Sequence, residues 1–284
     1  MIPAGGGARR NSRDSKGVLA GLSPARRRLV LALAALVAVV AAVLAVALVA
    51  RSSAPAVEPA DQRRPGPVLL VPGYGGGTAS LQGLAGALTT AGRDATVVGL
   101  PGDGTGDLEL SADALGEAVD AALARTGAES VDVVGYSAGG LVARLFVADG
   151  HTDVVRRVVT LGSPHHGTSL ADLAGDVAPG QCPLGCQQMT SDSALLAALN
   201  AGDETPGGTT WVSIWTTQDE TVTPPDSARL DGAVNLTVQS VCAQARVGHG
   251  DLPTDPLVQQ MVLAELAAGE PAGLGPADCG RLGG

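Results

Sequence analysis

The chain has 284 residues, of which 45% are hydrophobic, 16% are charged and 2% are aromatic. This composition is typical of a globular protein and excludes a disordered one. Because 28 Asp and Glu residues outnumber 18 Lys and Arg residues, and because aromatic side chains for base stacking are scarce, we do not expect the protein to bind nucleic acid.

The N-terminal 28 residues are basic, and the 22 residues that follow them are apolar. Residues 1–28 contain seven Arg and Lys residues against Asp14 alone. The run from Leu29 to Ala50 contains only apolar residues, and at about 1.5 Å per residue it is long enough to cross a bilayer. The positive-inside rule predicts a cytoplasmic segment 1–28, a transmembrane or signal-anchor helix over 29–50 and an exported remainder. A cleaved signal peptide, which would make the protein secreted, is the alternative.

Residues 51–66 are rich in Pro, Ala and charge and lack periodicity, which predicts a linker. From residue 67 to residue 284, β-branched runs alternate with Ala- and Leu-rich stretches, as in one α/β domain with a mostly parallel sheet flanked by helices. Strands are predicted at 67–71, 95–100, 130–134, 154–161, 211–215 and 234–241, and helices at 81–91, 111–125, 138–148 and 257–268. Such sheets bind ligands at the carboxyl ends of their strands.

A G-x-S-x-G motif lies between the third predicted strand and the helix after it, in the sequence SVDVVGYSAGG from Ser130 to Gly140. A serine on a tight strand-to-helix turn needs small residues two positions before and after it. The motif therefore predicts that Ser137 is a nucleophile. A glycine-rich packing turn without catalytic function is the alternative.

Residues 168–210 form a long segment with many glycines, two cysteines and one helical patch at 193–200. The segment fits no strand–helix unit, and a long insertion beside a site is typical of a lid or cap. We therefore expect a lid or cap over these residues.

A serine nucleophile needs a histidine base and a carboxylate, in the chain order serine, acid, histidine. His249 is the histidine that fits this order, because it follows the last predicted strand in the sequence VGHGD. Asp219 follows the strand at 211–215 and is the expected acid, with the adjacent Glu220 as the alternative. The oxyanion donors are expected to be the backbone N–H groups of Ala138 and Tyr74, with Gly73 as the alternative to Tyr74.

The four cysteines are expected to be paired, because thiols outside the cytoplasm tend to form disulfides. The short spacer between Cys182 and Cys186 can close a tight loop. This pair leaves Cys242 to hold the C-terminal tail through Cys279. A zinc site that also uses His165 or His166 is the alternative, and no metal is assigned.

A resemblance to known proteins is carried by the sequences LLVPGYGGG, VDVVGYSAGG and TLGSPHHGT and by the Asp219 and His249 loops. In these parts the chain resembles exported bacterial lipases and esterases of the α/β-hydrolase superfamily, especially actinobacterial ones. The resemblance covers about residues 67–268. It implies an α/β-hydrolase fold, a Ser137–Asp219–His249 triad, oxyanion donors at Tyr74 and Ala138, and no cofactor. It also implies that His165 and His166 shape the cleft. Pro72 departs from the His that many relatives have, and no counterpart of the calcium site of some lipases is seen.

These observations predict a serine carboxylic-ester hydrolase, in particular a triacylglycerol lipase or esterase, that works through an acyl-enzyme on a lipid or a small ester. The protein is expected to be a monomer outside the cell, attached to the membrane by residues 29–50 or secreted if this segment is cleaved. The alternatives are an acyltransferase with the same triad, a non-catalytic membrane-anchored binding protein with this fold, and peptidase or haloperoxidase-like chemistry.

Overall fold

The computed structural model describes residues 23–52 and 59–283 of the chain. The chain divides after Ala56 into two units. In the first unit, helix α1 spans Pro24–Ser52 and covers the segment that was predicted to cross a membrane. Within the described ranges, no helix is both long enough and apolar enough to cross a membrane. The predicted transmembrane or signal-anchor helix at 29–50 is therefore not confirmed, and most of the predicted basic segment 1–28 lies outside the described residues.

The second unit is built on a parallel β-sheet. Its strands are β1 (Val68–Val71), β2 (Ala95–Val97), β3 (Val131–Tyr136), β4 (Val155–Leu161), β5 (Thr210–Trp215) and β6 (Val234–Thr237). They lie in the order β2-β1-β3-β4-β5-β6, and every neighbouring pair is parallel. All residues of β1 and β4 are buried, as expected for strands that are covered by helices on both faces.

Helices cover the two faces of this sheet. The helices of the second unit are α2 (Ala79–Thr90), α3 (Leu108–Thr126), α4 (Ala138–Ala148), α5 (Ser169–Val177), α6 (Leu184–Gln187), α7 (Ala194–Leu199), α8 (Val238–Val241) and α9 (Pro256–Glu265). The leucines of α2 share one hydrophobic core with α9 and one side of the sheet. Helices α3 and α4 share a second core with the opposite side. The predicted α/β architecture with a parallel sheet flanked by helices is thus confirmed.

Several predicted elements differ from the structure in their bounds. The second strand, predicted over 95–100, ends at Val97, and the last helix, predicted over 257–268, ends at Glu265. The last strand, predicted over 234–241, ends at Thr237, because the Thr237 hydroxyl accepts a hydrogen bond from Ser240 N at 2.9 Å and caps helix α8. The insertion at 168–210 contains α5 and α6 in addition to α7, which lies at the helical patch predicted at 193–200.

Gln62 ties the chain before β1 to the domain. The side-chain amide of Gln62 donates to the main-chain carbonyl of Arg156 at 3.0 Å. The main-chain carbonyl of Gln62 accepts from Arg156 Nη1 at 3.0 Å and from Gly269 N at 2.9 Å. Arg156 is fully buried and forms two further hydrogen bonds to the buried carboxylate of Asp132, at 2.7 and 2.6 Å. The folded unit therefore includes Gln62, which lies before the boundary predicted at residue 67.

The four cysteines form two disulfides, Cys182–Cys186 and Cys242–Cys279. These are the pairs that the spacing predicted. The alternative of a zinc site is wrong for these residues, because no cysteine in the described part of the chain is free. Paired cysteines are typical of extracellular or secreted proteins.

Candidate active site

Ser137 lies at the junction of β3 and α4, in a backbone conformation that side chains rarely adopt. Its φ is 53° and its ψ is −124°, and within residues 23–52 and 59–283 no other non-glycine residue has a positive φ. A Cβ at Gly135 would lie 2.5 Å from the Gly139 carbonyl oxygen, and a Cβ at Gly139 would lie 2.3 Å from the Val71 carbonyl oxygen. The two glycines of the motif are therefore required for this turn to close.

A continuous chain of hydrogen bonds joins Ser137, His249 and Asp219. His249 Nε2 lies 3.1 Å from Ser137 Oγ, and His249 Nδ1 lies 2.7 Å from Asp219 Oδ2. An ionised carboxylate can only accept, so His249 Nδ1 carries the hydrogen and Nε2 is free to accept from the serine hydroxyl. The arrangement can therefore move a proton from Ser137 Oγ to His249.

The loop after β5 fixes the Asp219 carboxylate. The second carboxylate oxygen, Oδ1, accepts hydrogen bonds from Thr221 N at 2.9 Å and Val222 N at 2.7 Å. The Asp219 side chain is 1% exposed, whereas the neighbouring Glu220 is exposed to solvent. The structure thus brings Asp219, and not Glu220, to His249.

The loop after β1 lies directly against Ser137. A Cβ at Gly73 would lie 3.0 Å from Ser137 Cβ and 3.3 Å from the Tyr136 carbonyl oxygen. The Ala138 N–H belongs to the first residue of α4, where helical N–H groups have no intrahelical partner. Among the described residues, neither the Tyr74 N–H nor the Ala138 N–H donates to a backbone carbonyl. Neither of these two amides is therefore occupied by a backbone acceptor within the described residues.

In the described part of the chain, His249 is the histidine that forms a hydrogen bond with Ser137, and His165 and His166 have other partners. His165 is fully buried, and its Nε2 lies 3.1 Å from Thr160 Oγ1. Burial, together with the nearby Arg144 charge, holds the pKa of His165 well below its ordinary value, so this histidine is neutral. His166 lies 2.9 Å from the Glu204 carboxylate through Nε2.

Tyr136 contacts His249 and was not singled out from the sequence, although it lies inside the G-x-S-x-G motif. Its hydroxyl donates to the His249 carbonyl at 3.2 Å, and the two ring centroids are 5.3 Å apart. Burial and the nearby carboxylate of Asp219 raise the pKa of Tyr136 to about 12. The hydroxyl thus remains a donor and holds the backbone of His249.

Gly162, directly after β4, is the second contact that sequence reasoning missed. Its φ is +55°, and a Cβ there would lie 2.5 Å from Leu252 Cδ1 and 3.2 Å from both Asp219 Oδ2 and His249 Nδ1. The hydrogen bond between Asp219 and His249 therefore passes over a position that has no room for a side chain. The segment TLGSPHH contained this glycine, but a sequence gives no sign of what lies above it.

Comparisons with known proteins agree with this fold. Residues 66–181 match the family described as the alpha/beta hydrolase fold. A triacylglycerol lipase of Pseudarthrobacter phenanthrenivorans is 46% identical over 55 residues, which are 19% of this chain and 17% of the relative. A triacylglycerol lipase of Vibrio cholerae is 33% identical over 118 residues, which are 40% of this chain and 37% of the relative. The chain thus spans only a minor part of the length of these lipases.

Two solved structures share the fold at low sequence identity. The lipase B structure of Aspergillus fumigatus has a TM-score of 0.64 and 20% identity, and the match covers 80% of this chain and 58% of that one. A lipase of Bacillus licheniformis in its mature form has a TM-score of 0.58 and 20% identity, with 71% and 92% covered. These similarities show that the chain has the α/β-hydrolase fold, which agrees with the family match over residues 66–181 and with the partial matches to lipases.

Proposed function

We propose that the protein is a serine carboxylic-ester hydrolase, a lipase or esterase, in which Ser137, His249 and Asp219 form the catalytic triad. The observation that supports this proposal most directly is the unbroken chain of hydrogen bonds from Ser137 Oγ through His249 to Asp219. The lipase relatives support the choice of an ester as the substrate.

In the proposed mechanism, Ser137 Oγ attacks the ester carbonyl carbon while His249 Nε2 accepts the hydroxyl proton. Asp219 holds the ring in the correct tautomer and stabilises the imidazolium. The carbonyl oxygen becomes an oxyanion, and the N–H groups of Ala138 and Tyr74 are proposed to bind it. His249 then gives the proton to the leaving alcohol, and an acyl-enzyme remains.

Water completes the cycle by the same steps. His249 takes a proton from the water molecule as its oxygen attacks the acyl carbon, a second tetrahedral intermediate collapses, and the carboxylic acid leaves as the proton returns to Ser137 Oγ.

The sequence between Arg157 and Arg229 contains no Lys or Arg but eight Asp and Glu residues. This charge supports an uncharged ester in preference to an anionic acyl donor. The two disulfides support a site of action outside the cytoplasm.

The test is hydrolysis of p-nitrophenyl esters, from acetate to palmitate, by the full chain with the Ser137→Ala variant prepared in the same way. We expect hydrolysis that is absent from the variant, and the preferred chain length will separate an esterase from a lipase. Equal release of nitrophenol by the folded wild-type protein and the variant on every ester would refute the proposed function.

Gly162→Ala is expected to lower kcat by about 10- to 100-fold with a small change in KM, because the new methyl group displaces the Asp219–His249 pair from its working geometry. The matched control is Gly92→Ala, because Gly92 also has a positive φ but has no atom within 4 Å of its Cβ position. Steady-state kinetics of the two variants give the measurement. A kcat for Gly162→Ala equal to that of Gly92→Ala would show that this close approach does not matter.

A further inference from the structure

We infer that the disulfide-closed turn of the insertion positions one proposed oxyanion donor, the N–H of Tyr74, although the turn does not itself belong to the site. Three segments are involved: the disulfide turn (residues 182–188), the bridging loop (residues 102–107) and the oxyanion loop (residues 72–76). The inference rests on the proposed function, because it concerns the Tyr74 donor of that site. Each of the three segments contacts the next through backbone atoms or through the half-buried side-chain amide of Gln188.

The first contact joins the disulfide turn to the bridging loop. Gly185, inside the loop closed by Cys182 and Cys186, donates its N–H to the Thr105 carbonyl at 3.1 Å. A Cβ at Gly185 would lie 2.5 Å from the Gly106 carbonyl oxygen and 2.8 Å from the Thr105 carbonyl oxygen. The two backbones are therefore in direct contact, and a change in the shape of the turn displaces the bridging loop.

Gln188 strengthens this contact with both ends of its side-chain amide. Its Nε2 donates to Asp107 Oδ1 at 2.7 Å, and its Oε1 accepts from Leu108 N at 2.8 Å. Asp107 also caps helix α3 by accepting from Glu109 N at 3.0 Å. Gln188 thus holds the end of the bridging loop at the point where α3 begins.

The second contact joins the bridging loop to the oxyanion loop. Gly75 donates its N–H to the Gly104 carbonyl at 3.1 Å. Gly104 has a φ of +72°, and a Cβ there would lie 2.4 Å from Gly76 N. Within the bridging loop, the Asp103 carboxylate accepts from Thr105 N at 3.0 Å and from Thr105 Oγ1 at 2.6 Å, which keeps the loop in this conformation.

The oxyanion loop itself lies against the nucleophile through Gly73, as described above. A path of short contacts therefore runs from the Cys182–Cys186 disulfide to the N–H of Tyr74, which lies between Gly73 and Gly75. Oxyanion stabilisation depends on donors that are fixed before the reaction starts. Residues that only orient such groups still affect the rate, because a displacement of about 1 Å can cost roughly 100-fold. Gln188 and the disulfide turn are thus positioning elements for catalysis.

The experiment compares Gln188→Ala with Gln181→Ala in the full chain. Gln181 belongs to the same insertion, but it lies before the disulfide turn and is exposed to solvent. We expect Gln188→Ala to lower kcat about tenfold with KM within about twofold of the wild-type value. Gln181→Ala should stay within about twofold of the wild type in both constants. The double variant Cys182→Ala/Cys186→Ala should resemble Gln188→Ala.

Hydrogen exchange measured by mass spectrometry supplies a readout that does not depend on activity. A peptide that contains Gly75 should exchange faster in Gln188→Ala and in the double cysteine variant than in Gln181→Ala, because the Gly75 N–H loses the fixed position of its Gly104 acceptor. Equal exchange of this peptide and equal kcat in the two glutamine variants would overturn the inference. If the wild-type protein hydrolysed no ester but this peptide still exchanged faster in Gln188→Ala, the path of contacts to Tyr74 would be supported and the proposed function would be refuted.

Discussion

Replacing His249 by alanine is expected to lower kcat on the preferred ester by about six orders of magnitude. Without the imidazole, the hydroxyl of Ser137 keeps its proton at neutral pH and is a poor nucleophile. Because the residues of a triad act as a unit, the double variant Ser137→Ala/His249→Ala should be no slower than either single variant. Steady-state kinetics of the three proteins measure both effects.

The control for this experiment is His151→Gln. The His151 ring stacks on Phe146 with 4.1 Å between the ring centroids, and its Nδ1 lies 2.9 Å from the Phe146 carbonyl oxygen. This variant should keep kcat within a few-fold of the wild-type value. A double variant that loses the full product of the two single losses would show that Ser137 and His249 act in separate steps.

Asp219→Asn is expected to lower kcat by about four orders of magnitude while the fold is kept. The asparagine amide can donate to His249 Nδ1, which favours the tautomer with the hydrogen on Nε2. That tautomer cannot accept the proton of Ser137 Oγ, 3.1 Å away. The measurement is kcat, with circular dichroism to confirm that the variant is folded.

Glu220→Gln is the matched control for the acid, because Glu220 is adjacent in sequence but exposed to solvent. It should leave kcat within about twofold, since exposed charges contribute little. If Glu220→Gln lost the activity and Asp219→Asn kept it, the acid would be Glu220, and the arrangement described here would not be the working one.

The sheet and the three proposed triad positions were predictable because their signals are local. Buried β-branched runs mark the strands, and the predicted strand at 154–161 agrees with β4 to within one residue. The G-x-S-x-G motif reports a backbone turn, and that turn requires the glycines at 135 and 139. Asp219 and His249 followed from the chain order and from their places after strands.

The remaining features depend on contacts between distant parts of the chain. The residues after Thr237 continue the apolar pattern of a strand, but the cap formed by the Thr237 hydroxyl starts helix α8 there. The approach of Gly162 to His249, and that of Gly185 to Thr105, place glycine backbone against another segment. Glycine has no side chain whose hydropathy or charge could predict the segment that it contacts, so these contacts could be found only in the structure.

The tie between Gln62 and Arg156 has a practical consequence for protein engineering. Gln62 supplies hydrogen-bond partners to two buried arginines, Arg156 and Arg157. These partners would be lost if Gln62 were replaced by part of an affinity tag, a reporter domain or a protease recognition sequence. Buried cations that lose a partner are costly to the folded state. Fusion junctions should therefore be placed upstream of Pro59, where an attached domain leaves the support of the sheet intact.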